Sequence, residues 1–109
     1  RRMIETLRLS RDQRNKLMKI RKKTGIKNWN VLCRWALCMS LAESTPPPAY
    51  SSGGKAGIEI DWATFTGKEL HFFFDAIVRK LGKDLFYNHI QRGIELLLGK
   101  DLQALLTTE

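Results

Sequence analysis

The segment from Trp29 to Ala42 constrains the fold most, because it is apolar almost all the way round a helix. Only Asn30, Arg34 and Ser40 interrupt its apolar surface. A helix of this kind has to be covered by other parts of the protein on most sides. We therefore predict that it is central, either inside the monomer or at a contact between subunits.

The segment before it predicts a helix of opposite character. Ser10 followed three residues later by Gln13 is a capping box, and Gly25 suits the left-handed position that ends a helix. The predicted helix spans residues 12–24, with a basic outer side and a narrow apolar stripe. After the turn, the side chain of Asn28 is placed to cap the apolar helix.

Residues 4–9 and residues 58–62 alternate in polarity, which predicts two short strands. Since a lone strand is not stable, the first must pair with a later strand or with its copy in a second subunit. Strand, helix, turn and helix is the order of a ribbon-helix-helix unit, whose paired strands enter the major groove. Thr6 and Arg8 would then be placed to read bases, although Arg8 could equally pair with Glu5 or contact phosphate.

Residues 43–57 have the composition of an exposed crossover, with three consecutive prolines followed by serine and glycine. A helical apolar stripe then predicts an amphipathic helix that stops at Gly82. The stripe consists of Leu70, Phe73, Phe74, Ile77 and Leu81.

Asp84 is a suitable cap for the next helix, which we expect to end at Gly99. One side of this helix is apolar and consists of Phe86, Ile90, Gly93, Ile94 and Leu97. Residues 101–106 predict a last short helix or a frayed tail.

The 109 residues, 43% of them hydrophobic, predict one mainly α domain. We expect a compact bundle of four to five helices with one or two short strands and a ribbon-helix-helix-like N-terminal half. Its parts are a basic half (1–42), the crossover (43–57) and an apolar helical half (58–109). Two helices with broad apolar surfaces are difficult to cover in so small a monomer, so we also expect a homo-oligomer.

The net charge of +8 is concentrated at one end of the chain. Residues 1–34 hold twelve basic and two acidic side chains, whereas the remainder holds seven basic and nine acidic ones. This concentration predicts a polyanionic partner, and nucleic acid is favoured over an anionic membrane surface. The candidate nucleic-acid-binding residues are Arg8, Arg11, Arg14, Lys16, Lys19, Arg21, Lys22, Lys23 and Lys27. Trp29 could stack on a base, but packing beneath the turn is the favoured interpretation.

No catalytic, metal or cofactor motif stands out, and no apolar run is long enough to span a bilayer. The first residues also lack the apolar core of a signal peptide, so we expect a cytoplasmic protein.

Cys33 and Cys38 point to different faces of one helix, which excludes a local disulfide and predicts small core residues. His89 borders an apolar surface and is interpreted as a core or interface histidine. The remaining acidic candidates for a metal site are interpreted as solvated: Glu59, Asp61, Glu69 and Asp75.

Several segments, in this order, resemble the DndE family of the bacterial DNA phosphorothioation system. They are residues 5–10 (ETLRLS), 21–26 (RKKTGI), 28–36 (NWNVLCRWA) and 86–94 (FYNHIQRGI). The resemblance implies a mainly helical, tetrameric subunit that binds duplex DNA with a preference for nicks. Partner modification proteins would supply the sulfur transfer and ATP-dependent chemistry. The family's lysine-rich surface would correspond to Lys16, Lys19, Lys22, Lys23 and Lys27.

The sequence therefore favours a non-catalytic DNA-binding subunit without a cofactor. A ribbon-helix-helix type regulator is the main alternative, and a DNA-processing enzyme is a less favoured one.

Overall fold

The chain folds into a helical domain with a small antiparallel sheet on one side. The structure is a computed structural model that describes residues 3–50 and 54–99. Within these residues the elements are β1 (Thr6–Ser10), α1 (Arg11–Thr24), α2 (Trp29–Leu41), β2 (Ala56–Asp61), α3 (Trp62–Leu81) and α4 (Lys83–Gly99). The predicted fold class, mainly α with short strands, is confirmed. The predicted segment 101–106 and part of the crossover lie outside the described residues.

The sheet pairs β1 with β2, so the partner of the first strand comes from later in the same chain. Leu7 lies opposite Ile60, and both side chains are buried. The other edge of β1 is partly covered by α4, because the backbone N–H of Arg8 donates a hydrogen bond to the Tyr87 hydroxyl at 3.0 Å. β1 therefore has its partner strand within the same chain and does not need to pair with its copy in a second subunit.

Helix α1 begins and ends as its local sequence predicts, although it starts one residue earlier. The Gln13 N–H donates to Ser10 Oγ at 3.3 Å, and the Ser10 hydroxyl donates to the Gln13 side chain. At the other end, Gly25 has a φ of 77°, and its N–H donates to the carbonyl of Arg21 at 2.8 Å. Both ends are thus satisfied by residues within or next to the helix.

Helix α2 is central, as its apolar surface predicts, and packs along α4. Three predictions at this helix need correction. Asn28 is the N-cap by position, but its exposed side chain makes no capping hydrogen bond. Ser40, which appeared as a polar interruption of the surface, is fully buried. Cys33 is buried as predicted, but Cys38 is exposed because it lies on another face of the helix.

Helix α3 begins at Trp62, which the alternating pattern had assigned to the preceding strand. The backbone leaves the helical conformation at Gly67, where φ is 74°, so a short helical segment precedes the long amphipathic part. The predicted stripe of that part is only partly buried. Phe74 is 2% exposed, whereas Leu70 and Phe73 are 47% and 56% exposed.

Helix α4 buries the whole apolar side that the sequence predicts. Its start differs from the prediction, because the helix begins at Lys83 and Asp84 lies in its first turn. A carboxylate at that place still favours the helix through the positive end of its dipole. The four helices and the sheet enclose the core, and the outer side of α1 remains open.

Candidate nucleic-acid interface

The outer side of α1 carries a group of cations that the structure leaves available to a ligand. Gln13, Leu17 and Ile20 are buried on the inner side, so the helical period turns the intervening basic residues outward. We call the resulting surface the basic face. It consists of Arg11, Arg14, Lys19, Lys22, Lys23 and, just beyond the helix, Lys27. Arg14 is half-buried, the other five are exposed, and none forms an ion pair with any residue in 3–50 or 54–99.

Lys16, by contrast, is engaged in holding two helices together. Its ammonium group donates to the Glu95 carboxylate on α4 and lies 3.1 Å from the Asp12 carboxylate. The hydrogen bond to Glu95 is the main cause that raises the pKa of Lys16. Two carboxylates already neutralise this charge, so Lys16 is less suited to binding phosphate than the sequence suggests.

Two further cations of the predicted set also have partners. The Arg8 side chain lies 3.5 Å from the Glu59 carboxylate, its cross-strand neighbour. The Arg21 guanidinium lies 4.8 Å from the ring centre of Trp29, a cation–π arrangement. Trp29 is partly buried and packs against the core, in agreement with the favoured interpretation of packing.

A buried polar network ties the end of α2 to α4. His89 Nδ1 lies 2.8 Å from the Ser40 hydroxyl, and the Arg92 guanidinium donates from Nε to the same hydroxyl and from Nη2 to the Ser40 carbonyl. The Ser40 hydroxyl thus accepts from Arg92 and shares a second hydrogen bond with His89, whose direction is set by the tautomer of the imidazole. Burial, followed by the charge of Arg92, lowers the pKa of His89.

The geometry of this network indicates a structural role. Ser40 is fully buried, so its hydroxyl is closed to a substrate. His89 is itself buried and hydrogen-bonded to Ser40, in agreement with its interpretation as a core or interface histidine. Sequence reasoning missed the roles of Ser40 and Arg92, because a serine and an arginine at those helical positions carry no local signal of pairing.

Other chemistry-bearing residues are dispersed across the described part of the chain. No group of three or more His, Cys, Asp or Glu side chains lies close enough there to hold a metal ion. Burial raises the pKa of the Cys33 thiol to about 12. His71 lies 3.6 Å from Asp75 on the same helix. Among the described helices, none is long and apolar enough to cross a membrane.

Comparison with known proteins identifies the family of this domain. The family profile described as DNA sulphur modification protein DndE matches residues 6–103. The chain belongs to the DndE family. The basic face thus lies on a protein whose family is named for a chemical modification of DNA.

A solved structure supports the fold of this family member. It is described as DndE from Escherichia coli B7A involved in DNA phosphorothioation modification. The TM-score is 0.70 at 21% sequence identity, and the match covers 89% of this chain and 98% of that one. No curated protein sequence gives a significant match to the chain.

Proposed function

We propose that this protein is a non-catalytic DNA-binding subunit of the bacterial DNA phosphorothioation system, in which it holds duplex or nicked DNA with its basic face. The observation that carries the proposal is the exposure of Arg11, Lys19, Lys22, Lys23 and Lys27 together, without ionic partners among the described residues. Membership of a family in DNA sulphur modification supports DNA as the polyanion for this surface.

The dimensions of the basic face suit a DNA backbone. Residues 11 to 23 span roughly 18 Å along the helix axis at a rise of 1.5 Å per residue. Neighbouring phosphates of one strand follow each other at about 3.4 Å of duplex axis, so the face covers roughly five of them. Contacts to phosphate position a protein without reading bases, and we expect little sequence preference.

Salt dependence follows from the same contacts. Each phosphate neutralised by a lysine or arginine releases condensed counterions. Five engaged cations per protomer correspond to a slope of roughly −4.5 for log affinity against log salt concentration.

The decisive experiment measures affinity for intact, nicked and single-stranded DNA at several salt concentrations. The test variant replaces Lys19, Lys22 and Lys23 together by Glu. Its matched control replaces Lys55, Lys68 and Lys80, which are exposed outside α1, and changes the net charge equally. We expect the test variant to lose most of its affinity and the control to keep it. Unchanged affinity in the test variant at unchanged particle size would show that another surface binds DNA.

The proposal includes a homo-oligomer, with a tetramer as the expected form, in which several basic faces act together. The outer side of α3 supports this, since Phe72 is 80% exposed and Phe73 is 56% exposed. Large apolar side chains exposed next to one another are typical of contact surfaces. A self-complementary contact through α3 would join two copies and leave α1 open on each, and a tetramer would need a second contact as well.

Other sulfur modification proteins would supply the chemical steps. The non-catalytic role is tested by incubating the purified protein with DNA and sulfur donors, then analysing the DNA for strand breaks and incorporated sulfur. We expect neither product. Strand cleavage or sulfur transfer that persists through purification and is lost with a point variant would overturn the proposal.

A further inference from the structure

A polar cleft lies between β1, the beginning of α1 and the first half of α4. Its volume is about 560 Å³, which is within the range of small-molecule sites. Half of its ten lining residues are two phenols, Tyr50 and Tyr87, and three side-chain amides, Gln13, Asn88 and Gln91. The cleft is separate from the outward basic face, although Gln13 belongs to the same helix.

Gln91 lines this cleft and carries a buried side-chain oxygen without a hydrogen-bond partner among the described residues. The residue is 8% exposed, and its Oε1 accepts no hydrogen bond from the described residues. Buried polar atoms in stable domains nearly always have a partner. This oxygen has almost no accessible surface, so a donor on a molecule in the cleft would reach it only after the Gln91 side chain turned toward the cleft.

Two neighbouring groups are fixed by the backbone in positions that leave them free to donate. Asn88 Oδ1 accepts from the Tyr50 N–H at 3.3 Å, and no described residue accepts from the amino group of the Asn88 amide. The Tyr87 hydroxyl accepts from the Arg8 N–H at 3.0 Å and retains its own proton. Burial raises the pKa of Tyr87, so the phenol remains a donor at neutral pH.

We propose that this cleft binds one unpaired nucleotide of a nucleic-acid strand, with the base edge at Gln91 and Asn88. Side-chain amides present a donor and an acceptor side by side and match the edge of a base, adenine above all. Tyrosine rings provide faces on which an extruded or single-stranded base stacks.

The charges around the cleft fit a nucleotide within a strand. The lining of the cleft includes two exposed cations, Arg8 and Lys83, and one carboxylate, Asp84. Because Arg8 also pairs with Glu59, Lys83 is the cation best placed for phosphate. This balance suits a single phosphodiester better than a polyphosphate. The inference rests on the proposed function, since the ligand is part of the same nucleic acid.

The test uses the ¹⁵N-labelled full chain and observes the side-chain amide signals of Gln91 and Asn88. The probes are the four 2′-deoxynucleoside 5′-monophosphates, with 2-deoxyribose 5-phosphate and inorganic phosphate as probes that lack a base. We expect both amide signals to shift with nucleotides and to remain unchanged with the two base-free probes. Gln91→Leu should weaken nucleotide binding about tenfold, the usual effect of losing a base-edge contact.

Lys83→Ala should weaken all four nucleotides by a similar factor, whereas the exposed Lys80→Ala serves as its matched control and should bind normally. The wild-type titration locates the site even if Gln91→Leu folds poorly. Binding that needs only phosphate, or that leaves the Gln91 and Asn88 amides unshifted, would overturn the inference. If the protein binds duplex DNA but its amide signals do not respond to nucleotides, the cleft is not a nucleotide site and the proposal for the basic face is unaffected. If nucleotides bind in the cleft but duplex DNA does not bind, the proposal for the basic face is wrong.

Discussion

Gly93 is the residue at which α4 comes closest to α2. A Cβ atom at this position would lie 1.8 Å from the carbonyl oxygen of Ala36, which is backbone and cannot turn aside. Gly93→Ala should therefore force the two helices apart and lower the free energy of unfolding by roughly 3 kcal/mol, the upper end for overpacking. Urea unfolding followed by circular dichroism measures this.

Gly99→Ala is the matched control for that substitution. No described residue lies within 4 Å of a Cβ atom at Gly99, the last residue of α4, and alanine within a helix is favoured over glycine by about 0.5–1 kcal/mol. The control should unfold at the same or a slightly higher urea concentration. Equal stability of the two variants would mean that α2 and α4 are not in such close contact at Gly93.

His89 should make the stability of the fold depend on pH. Its pKa is lower in the folded protein than its ordinary value of 6.5, so the unfolded chain binds the proton more readily. The contribution of neutral His89 is complete above that ordinary value. It declines as the pH falls below 6.5 and is lost below the lowered pKa of the folded state.

Urea midpoints between about pH 8 and about pH 5 test this, with His89→Gln as the comparison. Glutamine can still accept from Ser40 but does not titrate. The wild-type midpoint should fall more steeply below pH 6.5 than the midpoint of the variant. Parallel curves would show that His89 does not cause the pH dependence.

Among the elements, α1 could be predicted well because its signals are local. Ser10, Gln13 and Gly25 fix both ends through contacts within a few residues. The junction of β2 and α3 could not be predicted, because Trp62 continues the alternating pattern of the strand and yet begins a helix. The basic face was predicted as a surface, but the loss of Lys16 from it depends on Glu95, 79 residues away in the chain.

Substitutions of Lys16 and Lys19, which lie on the same helix, separate an effect on stability from an effect on DNA binding. Lys16→Met breaks the link between α1 and α4 and should cost about 0.5 kcal/mol of stability, as partly exposed ion pairs do. Lys19→Met should leave stability nearly unchanged and reduce the magnitude of the salt slope for DNA binding by about 0.9. Urea unfolding and DNA titrations at several salt concentrations measure the two effects. If Lys16→Met changed the salt slope as much as Lys19→Met, Lys16 would belong to the binding surface.

For the molecule as a whole, the sequence predicted more apolar surface than a monomer can bury. The apolar stripe of α3 predicted an amphipathic helix, and the structure turns only part of that stripe inward and leaves Leu70 and Phe73 largely exposed. Helical periodicity places residues on one side of a helix without saying what covers that side. The position of α3 at the edge of the bundle is a tertiary property, and it is the physical reason to expect contact with another copy.

Phe72→Glu tests that contact and its consequence for DNA binding. Phe72 is 80% exposed, so a charge there should not disturb the folded monomer, but it would be costly within an apolar interface. Light scattering with chromatography should show a smaller particle than the wild type. Its DNA affinity should also depend less steeply on salt, because each particle then carries fewer basic faces.

Leu41→Glu, at an exposed apolar residue of α2, is the control and should keep both particle size and salt slope. A Phe72→Glu protein of unchanged size would place the subunit contact elsewhere, and a smaller particle with an unchanged slope would show that one basic face is sufficient to bind DNA.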